Sequence, residues 1–236
     1  MKIEYLGHSC FLMTVGNYKI LTDPFLDGNE HAAIKASEVD ATHILVSHGH
    51  ADHLGDAEAI AVRCGATVYA TVETAALLPD TVKKEVGQPG GWVPTAFGRV
   101  KFTSAIHGSG APGGVACGFI IDAGTIDPKG AVDLKESVKV YHAGDTALTM
   151  DMTLLGDERI DVALLPIGDK FTMGPRDALR ASRLVRPSIV IPMHYNTWPI
   201  IAQDAEAFKA SVEADEYLSE AEVKVVVMAV GDSLEV

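Results

Sequence analysis

The 236-residue chain has no long apolar run, no cluster of lysine or arginine and only three cysteines. Each scarcity excludes a class of protein. A membrane-spanning helix needs about 20 consecutive, mostly apolar residues, and no stretch supplies them. The opening MKIEYLGHSC lacks the basic, apolar and small-residue order of a secretory leader, so the expected location is the cytoplasm. Nineteen basic residues against 32 acidic ones leave a formal charge of -13, which disfavours a nucleic-acid backbone or an anionic membrane as partner. A small molecule is the expected substrate. Cys10, Cys64 and Cys117 form no close pair, so neither a disulfide framework nor a thiolate metal knuckle is expected, and the three read as small apolar side chains.

What is present belongs to an ordered enzyme-sized domain. Apolar residues make up 47% of the chain and charged ones 22%, a balance that argues against disorder. The length lies within the range of one mixed α/β domain.

Local patterns place strands at 2–6, 10–15 and 18–22, the last delivering Asp23 just before Pro24. A helix is expected near 31–38. Residues 43–47 read as a buried strand that ends at Gly49, and 53–65 have helical apolar spacing up to Gly65. Further strands are expected at 67–70, 92–94, 100–105 and 116–121, with a short helix near 72–77. The second half repeats this grammar: strands at 139–142, 162–165, 188–192 and 223–229, helices near 176–185 and 204–211, and a short tail strand. With no low-complexity linker, residues 1–236 read as a single α/β domain of four layers, αββα, with helices outside two facing sheets. A half-domain boundary is expected near 123–137.

The segment Ser47-His48-Gly49-His50-Ala51-Asp52-His53 carries the chemistry. Four ligand-type side chains, His48, His50, Asp52 and His53, fall within six residues where a strand hands over to a helix, the place where open α/β sheets bind ligands. Asp52 alone would suit a helix cap, but capping needs no three histidines. Imidazole gives a borderline cation a neutral nitrogen and carboxylate gives it charge compensation. One turn cannot complete two coordination shells, and His107, Asp145 and His194 follow at other strand ends.

HGHADH resembles the HxHxDH signature of the metallo-beta-lactamase-fold hydrolases, and His107, Asp145 in GDT and His194 stand in the expected order. With YLGHSCF, TDPF, YHAGDT, FTMGP and PMHYNTWP, the chain is similar to a broad group of metal-dependent hydrolases near the ascorbate-6-phosphate lactonase branch. The resemblance implies that His48, His50 and His107 bind one metal. It implies that Asp52, His53 and His194 bind a second, with Asp145 bridging. Zinc is the first expectation for the two divalent ions, with manganese or iron as alternatives. Two such ions bind a shared water and leave a hydroxide ready to attack a lactone, ester, amide or phosphoester. His50 stands where the di-iron oxygen-reducing relatives carry Glu. The same resemblance makes a homo-oligomer plausible.

Other residues have two readings each. Asp23 either orients a ligand histidine through its other ring nitrogen or simply ends its strand. His8 either faces the metals and donates to substrate or leaving group, or is a packed histidine. Asp52, Asp145 and His8 are thus the candidate catalytic side chains. Lys170, Thr172, Tyr195 and Asn196 either shape the mouth of a substrate pocket or lie in solvated loops. His142 reads as a core or ligand-supporting histidine, and His31 and His43 as structural. A metal-dependent hydrolase is the leading expectation. A nucleic-acid phosphodiesterase and a non-catalytic metal-binding regulatory protein are the alternatives.

Overall fold

Alternation along the strands sends neighbouring side chains to two different cores. In a computed structural model, which describes residues 1–126 and 131–236, Leu21, Ile44 and Val68 join one apolar cluster, while Ile20, Leu45 and Tyr69 beside them join another. This is the period of a sheet with both faces covered.

That sheet contains β1 (Lys2–Gly7), β2 (Cys10–Val15), β3 (Tyr18–Thr22), β4 (His43–Leu45), β5 (Thr67–Thr71) and β6 (Lys83–Gly87), with β14 (Ser233–Glu235) on the outer edge of β1. The second sheet contains β7 (Trp92–Thr95), β8 (Gly98–Ser104), β9 (Cys117–Ile126), β10 (Val132–His142), β11 (Val162–Pro166), β12 (Ile189–Met193) and β13 (Lys224–Val225). Each sheet begins with antiparallel pairs and continues with parallel ones: β3 to β6 in the first, β10 to β13 in the second. Phe11, Met13 and Ile20 meet Phe102, Phe119 and Tyr141 in the apolar layer between the sheets.

Helices cover the outer faces, completing the expected four layers. α2 (Ala57–Cys64) buries Ala57, Ile60 and Ala61 on the first sheet, following the short α1 (Ala51–Leu54), while α3 (Val72–Ala75) extends from β5. On the second sheet lie α5 (Pro175–Val185), α6 (Ala205–Glu213) and α7 (Glu216–Glu220), with the short α4 (Met152–Leu155) near α5. Ala178, Ala181, Ser182 and Val185 form the buried stripe of α5 at the spacing of one helix face. No helix among the described residues is long and apolar enough to cross a membrane.

Several local expectations are corrected. Residues 31–38 form turns rather than a helix, because side chains capture the backbone donors. Asn29 Oδ1 takes the His31 N–H, Asp27 Oδ1 that of Ala36 and Glu38 Oε2 that of Lys35. The expected helix at 53–65 is two helices. Gly55, at φ +38°, passes so close to Pro24 that a Cβ there would lie 2.4 Å from its carbonyl oxygen. Asp56 then turns back to accept the N–H groups of Leu26 and Asp27. The expected strand at 223–229 pairs only at Lys224–Val225, and β10 starts earlier than residue 139, extending its hairpin with β9. The expected half-domain boundary at 123–137 takes in 127–130, outside the described residues. The chain passes from the first sheet to the second between β6 and β7.

Candidate metal centre

The strand ends of both sheets meet at one place. β3 delivers Asp23, β4 leads to Ser47 and His48, and α1 carries Asp52 and His53. From the second sheet, β8 leads to His107, β10 to Asp145 and β12 to His194. The turn between β1 and β2 adds His8, whose carbonyl accepts the His194 N–H at 2.9 Å. His8, Asp23 and His194 have φ of +57°, +37° and +55°, a region that non-glycine residues rarely occupy.

The side chains converge in overlapping groups. Ring nitrogens of His48, His50 and His107 meet, with His48 Nε2 2.9 Å and His107 Nε2 3.3 Å from His50 Nδ1. His8, Asp52, His53 and His194 form a second group, and His48, His53 and Asp145 a third. Asp145 lies between them: Oδ1 is 3.3 Å from His53 Nε2, while Oδ2 is 3.1 Å from His194 Nε2 and 3.5 Å from His107 Nε2. The seven ligand-type residues expected from the sequence are therefore brought together.

Their lone pairs fit divalent ions. His53 Nε2, Asp145 Oδ1 and both ring nitrogens of His194 are buried and make no hydrogen bond. Buried polar atoms normally find partners. Here imidazole nitrogens and carboxylate oxygens face one another, a donor set that suits zinc, manganese or iron.

Asp23 supports this arrangement, as one reading of the sequence expected. Fully buried, it accepts the Ser47 N–H on Oδ1 and both the Ser47 hydroxyl and His53 Nδ1–H on Oδ2, at 2.7, 2.7 and 2.8 Å. Ser47 Oγ, its proton committed to Asp23, accepts from His48 Nδ1 at 2.9 Å. One carboxylate therefore orients two rings, His53 directly and His48 through Ser47, turning the Nε2 atoms of both toward the centre. Ser47 was not singled out in the sequence; its only signal was a hydroxyl immediately before the first histidine.

Electrostatics follow the same geometry. Burial opposes charge on Asp23, but the field and hydrogen bond of His53 prevail and bring its pKa down to about 2. Burial also opposes charge on His53, yet Asp145 and Asp23 on either side hold it well above the ordinary histidine range. Burial pushes His48 down to about 3, assisted by His53, and His8 down to about 4 against the pull of Asp52. Burial would raise Asp52 and Asp145; the neighbouring histidines instead keep both carboxylates below their usual range. The two sides of the centre are thus bound by histidine–carboxylate attraction even before cation charge is counted.

Backbone packing places the distant residues. Gly168 lies against His194, where a Cβ would come within 2.3 Å of the His194 carbonyl oxygen. Ser109 O accepts the Gly49 N–H, tying the loop after His107 to the HGH turn. Thr146 accepts the Ile106 N–H on its hydroxyl and the Met173 N–H on its carbonyl, joining three loops beside Asp145. Gly168 and Thr146 carried no functional signal of their own in the sequence.

The expected pocket residues are less uniform. Lys170 is exposed with its ammonium 5.9 Å from the centre of the Phe171 ring, the Thr172 hydroxyl donates to Met173 O, and Asn196 Oδ1 accepts the Gln203 N–H. Tyr195 and Asn196 share with His8 and Thr197 the lining of a cavity of about 270 Å³. His142 is not part of the ligand groups; its Nε2 donates to Ser9 O, and its Nδ1 accepts the Gly144 N–H. His43 packs edge-on against Phe97.

Comparison with known proteins identifies the family of the chain. The beta-lactamase superfamily domain profile matches residues 2–194. A UPF0173 metal-dependent hydrolase of Symbiobacterium thermophilum is 47% identical over 217 residues, 90% of this chain and 92% of that protein. Another, from Pelotomaculum thermopropionicum, is 45% identical over 245 residues, with 100% of both chains covered. Among solved structures, Igni18, a metallo hydrolase of Ignicoccus hospitalis, has a TM-score of 0.85 and 33% identity, covering 99% of this chain and 97% of its own. Profile, sequence and architecture agree: the chain belongs to the metallo-beta-lactamase superfamily, among its metal-dependent hydrolases.

Proposed function

We propose that the chain hydrolyses a small lactone, ester or phosphoester at two divalent ions, zinc first and manganese or iron as alternatives. His48, His50 and His107 would hold one ion, and Asp52, His53 and His194 the other, with Asp145 between them. The convergence of buried, unpartnered histidine and aspartate atoms carries this reading. Bound there, two ions supply Lewis acidity, lowering the pKa of water and polarising the bond to be cut.

The chain's own residues supply orientation and proton handling. Asp23 and Ser47 keep the lone pairs of His48 and His53 directed inward. Asp145 and Asp52 provide negative charge to hold the ions. His8 Nε2 stands 3.2 Å from Asp52 Oδ2, and this ring and carboxylate are the proposed place where a leaving oxygen collects its proton.

A phosphorylated sugar lactone is the first substrate to test, on the resemblance to the ascorbate-6-phosphate lactonase branch. Lys170 and Thr172 lie on a turn tied to Thr146 by the Met173 N–H and flanked by Gly168 at His194. Lys170 and Thr172, with Tyr195 and Asn196 on the neighbouring loop, are the proposed contacts for a substrate phosphate or carboxylate. The formal charge of -13 supports a small substrate over a nucleic acid.

The test is hydrolysis of a lactone, ester, amide and phosphodiester panel by metal-stripped protein, before and after adding back each ion. Activity is expected to return with two equivalents. Asp145→Ala should lower it by more than the roughly 10–100-fold typical of losing an outer partner. A folded protein loaded with both ions but inactive across the panel would overturn the proposal.

A further inference from the structure

We propose that Trp198 is a specificity-determining residue: its indole, backed by Phe25, forms an apolar wall beside Asp52, His53 and His194 and takes a flat ring of the substrate, an aryl group or the C–H face of a lactone. The inference rests on the hydrolase reading above and narrows its substrates to those that bring such a ring.

The wall is built from side chains that touch the metal centre. Trp198 and Phe25 have ring centres 5.9 Å apart, and each meets the His8 ring edge-on, at 5.2 and 5.8 Å. The His8 ring in turn lies 4.1 Å from that of His194, and its Nε2 is 3.2 Å from Asp52 Oδ2. Asp52 is the solvent-facing member of this group, its side chain 26% exposed while those of His53 and His194 are buried. A substrate that approaches Asp52 therefore arrives beside the aromatic pair.

Trp198 is open to solvent yet held in place. It is 40% exposed, but Ile201 three residues on is fully buried and anchors the loop. The Trp198 carbonyl accepts the Ile201 N–H at 3.0 Å, and the Ile201 carbonyl accepts the Asn196 N–H at 3.1 Å. Pro199 restricts the backbone at the start of the turn Pro199–Ile201. Phe25 lies over Gly28, where a Cβ would come within 2.6 Å of its ring. Rings held in this way lose little conformational freedom when a ligand covers them.

A single exposed ring is ordinary on a protein surface, but this one has company. Ile106 directly precedes His107, Phe171 stands on the turn that follows Gly168, and Ile200 lies two residues beyond Trp198; all three are more than half exposed. The loops around His107 and His194 thus present apolar side chains on a chain whose formal charge is -13. Small-molecule sites combine such apolar walls with a few polar groups, and an aromatic face receives a second ring offset or edge-on.

The test titrates benzoate and benzyl alcohol, the acid and alcohol halves of ring-bearing esters, against acetate and methanol, which lack the ring. The chain has two tryptophans, so nitrogen-15 NMR shows two indole N–H signals, and Trp198→Phe identifies the one from Trp198 by its loss. In zinc-loaded wild type, the ring-bearing member of at least one pair is expected to shift that signal and to bind about tenfold more tightly than its ringless counterpart, the scale of one aromatic contact. Trp198→Phe should keep most of this advantage and Trp198→Ala should lose it, with acetate affinity unchanged in both. Trp198→Leu, apolar but not flat, carries the same readout if alanine prevents folding. Equal affinity for ringed and ringless probes overturns the proposal, as does an advantage that survives in Trp198→Ala. An acetate affinity that falls together with that of benzoate would assign Trp198 to holding His8 rather than to binding a ring, and a Trp198 signal that moves with protein concentration would assign the wall to a second copy of the chain; either result overturns the proposal. If the protein takes no zinc, the two-ion reading fails, while benzyl alcohol against methanol in metal-free protein still decides whether Trp198 binds a ring.

Discussion

The two sheets supply the metal centre by different means. On the first, His48 and His53 are oriented by side-chain hydrogen bonds that converge on Asp23. On the second, both ring nitrogens of His194 and one oxygen of Asp145 lack hydrogen-bond partners. Their placement comes from the backbone: the His8 carbonyl bonded to His194 N–H, Gly168 against His194, and loops tied together by Thr146. The first side resembles a preset clamp, and the second a set of side chains carried to it by strand ends. Polar substitutions should therefore disturb the first most strongly, and changes in backbone packing the second.

Asp23→Asn is the most severe test of this division. The substitution nearly preserves volume but replaces one acceptor oxygen with a donor where Ser47 and His53 already donate. Loss of the buried charge partner is expected to cost about 3–5 kcal/mol and to weaken metal binding about 10–100-fold. Chemical denaturation and metal competition measure the two effects. Normal affinity in the folded variant would remove the basis for assigning orientation to this network.

Gly168→Ala probes the second side without altering a polar group. The added methyl meets the His194 carbonyl, so a loss of about 1–3 kcal/mol is expected, together with weaker binding of the second ion. Calorimetric titration should show the first ion bound normally. Equal weakening of both ions would show that the two sides do not act separately.

The smallest effect concerns a histidine outside the centre. Burial brings the pKa of His43 down to about 4, whereas an unfolded histidine titrates near 6.5. The unfolded chain therefore gains this proton first as pH falls, so stability present above about pH 6.5 is lost toward pH 4. His43→Phe retains an aromatic ring beside Phe97 and removes the titration. Its stability relative to wild type should improve by about 1–2 kcal/mol over that interval, a value reduced for residual solvent screening. Parallel urea-denaturation curves at pH 7 and 4.5 give the comparison, and identical pH dependence would contradict it.

The difference between the sheets also explains what the sequence revealed. HGHADH was legible because its ligands are adjacent in the chain, and the alternating apolar strands disclosed the layers. His107, Asp145 and His194 became specific only through resemblance, since each is a single residue separated from the motif by a long excursion. The Asp23–Ser47 linkage was half legible: the carboxylate stood at a predicted strand end, but its hydroxyl partner had no spacing to announce it. β6 was missed because KKEVG is largely exposed and lacks a buried alternation. The helix expected at 31–38 failed for another reason, the capture of backbone donors by Asp27, Asn29 and Glu38.

The positive φ angles at His8, Asp23 and His194 imply a conflict between durability and chemistry. Left-handed backbone at a non-glycine residue costs of order 1–3 kcal/mol, so glycine at any of these positions would ease the local conformation while deleting the functional side chain. Selection for a sturdier scaffold alone would erode the site. A stabilisation campaign that screens only for melting temperature should therefore exclude these three positions, and metal occupancy should be screened alongside heat resistance.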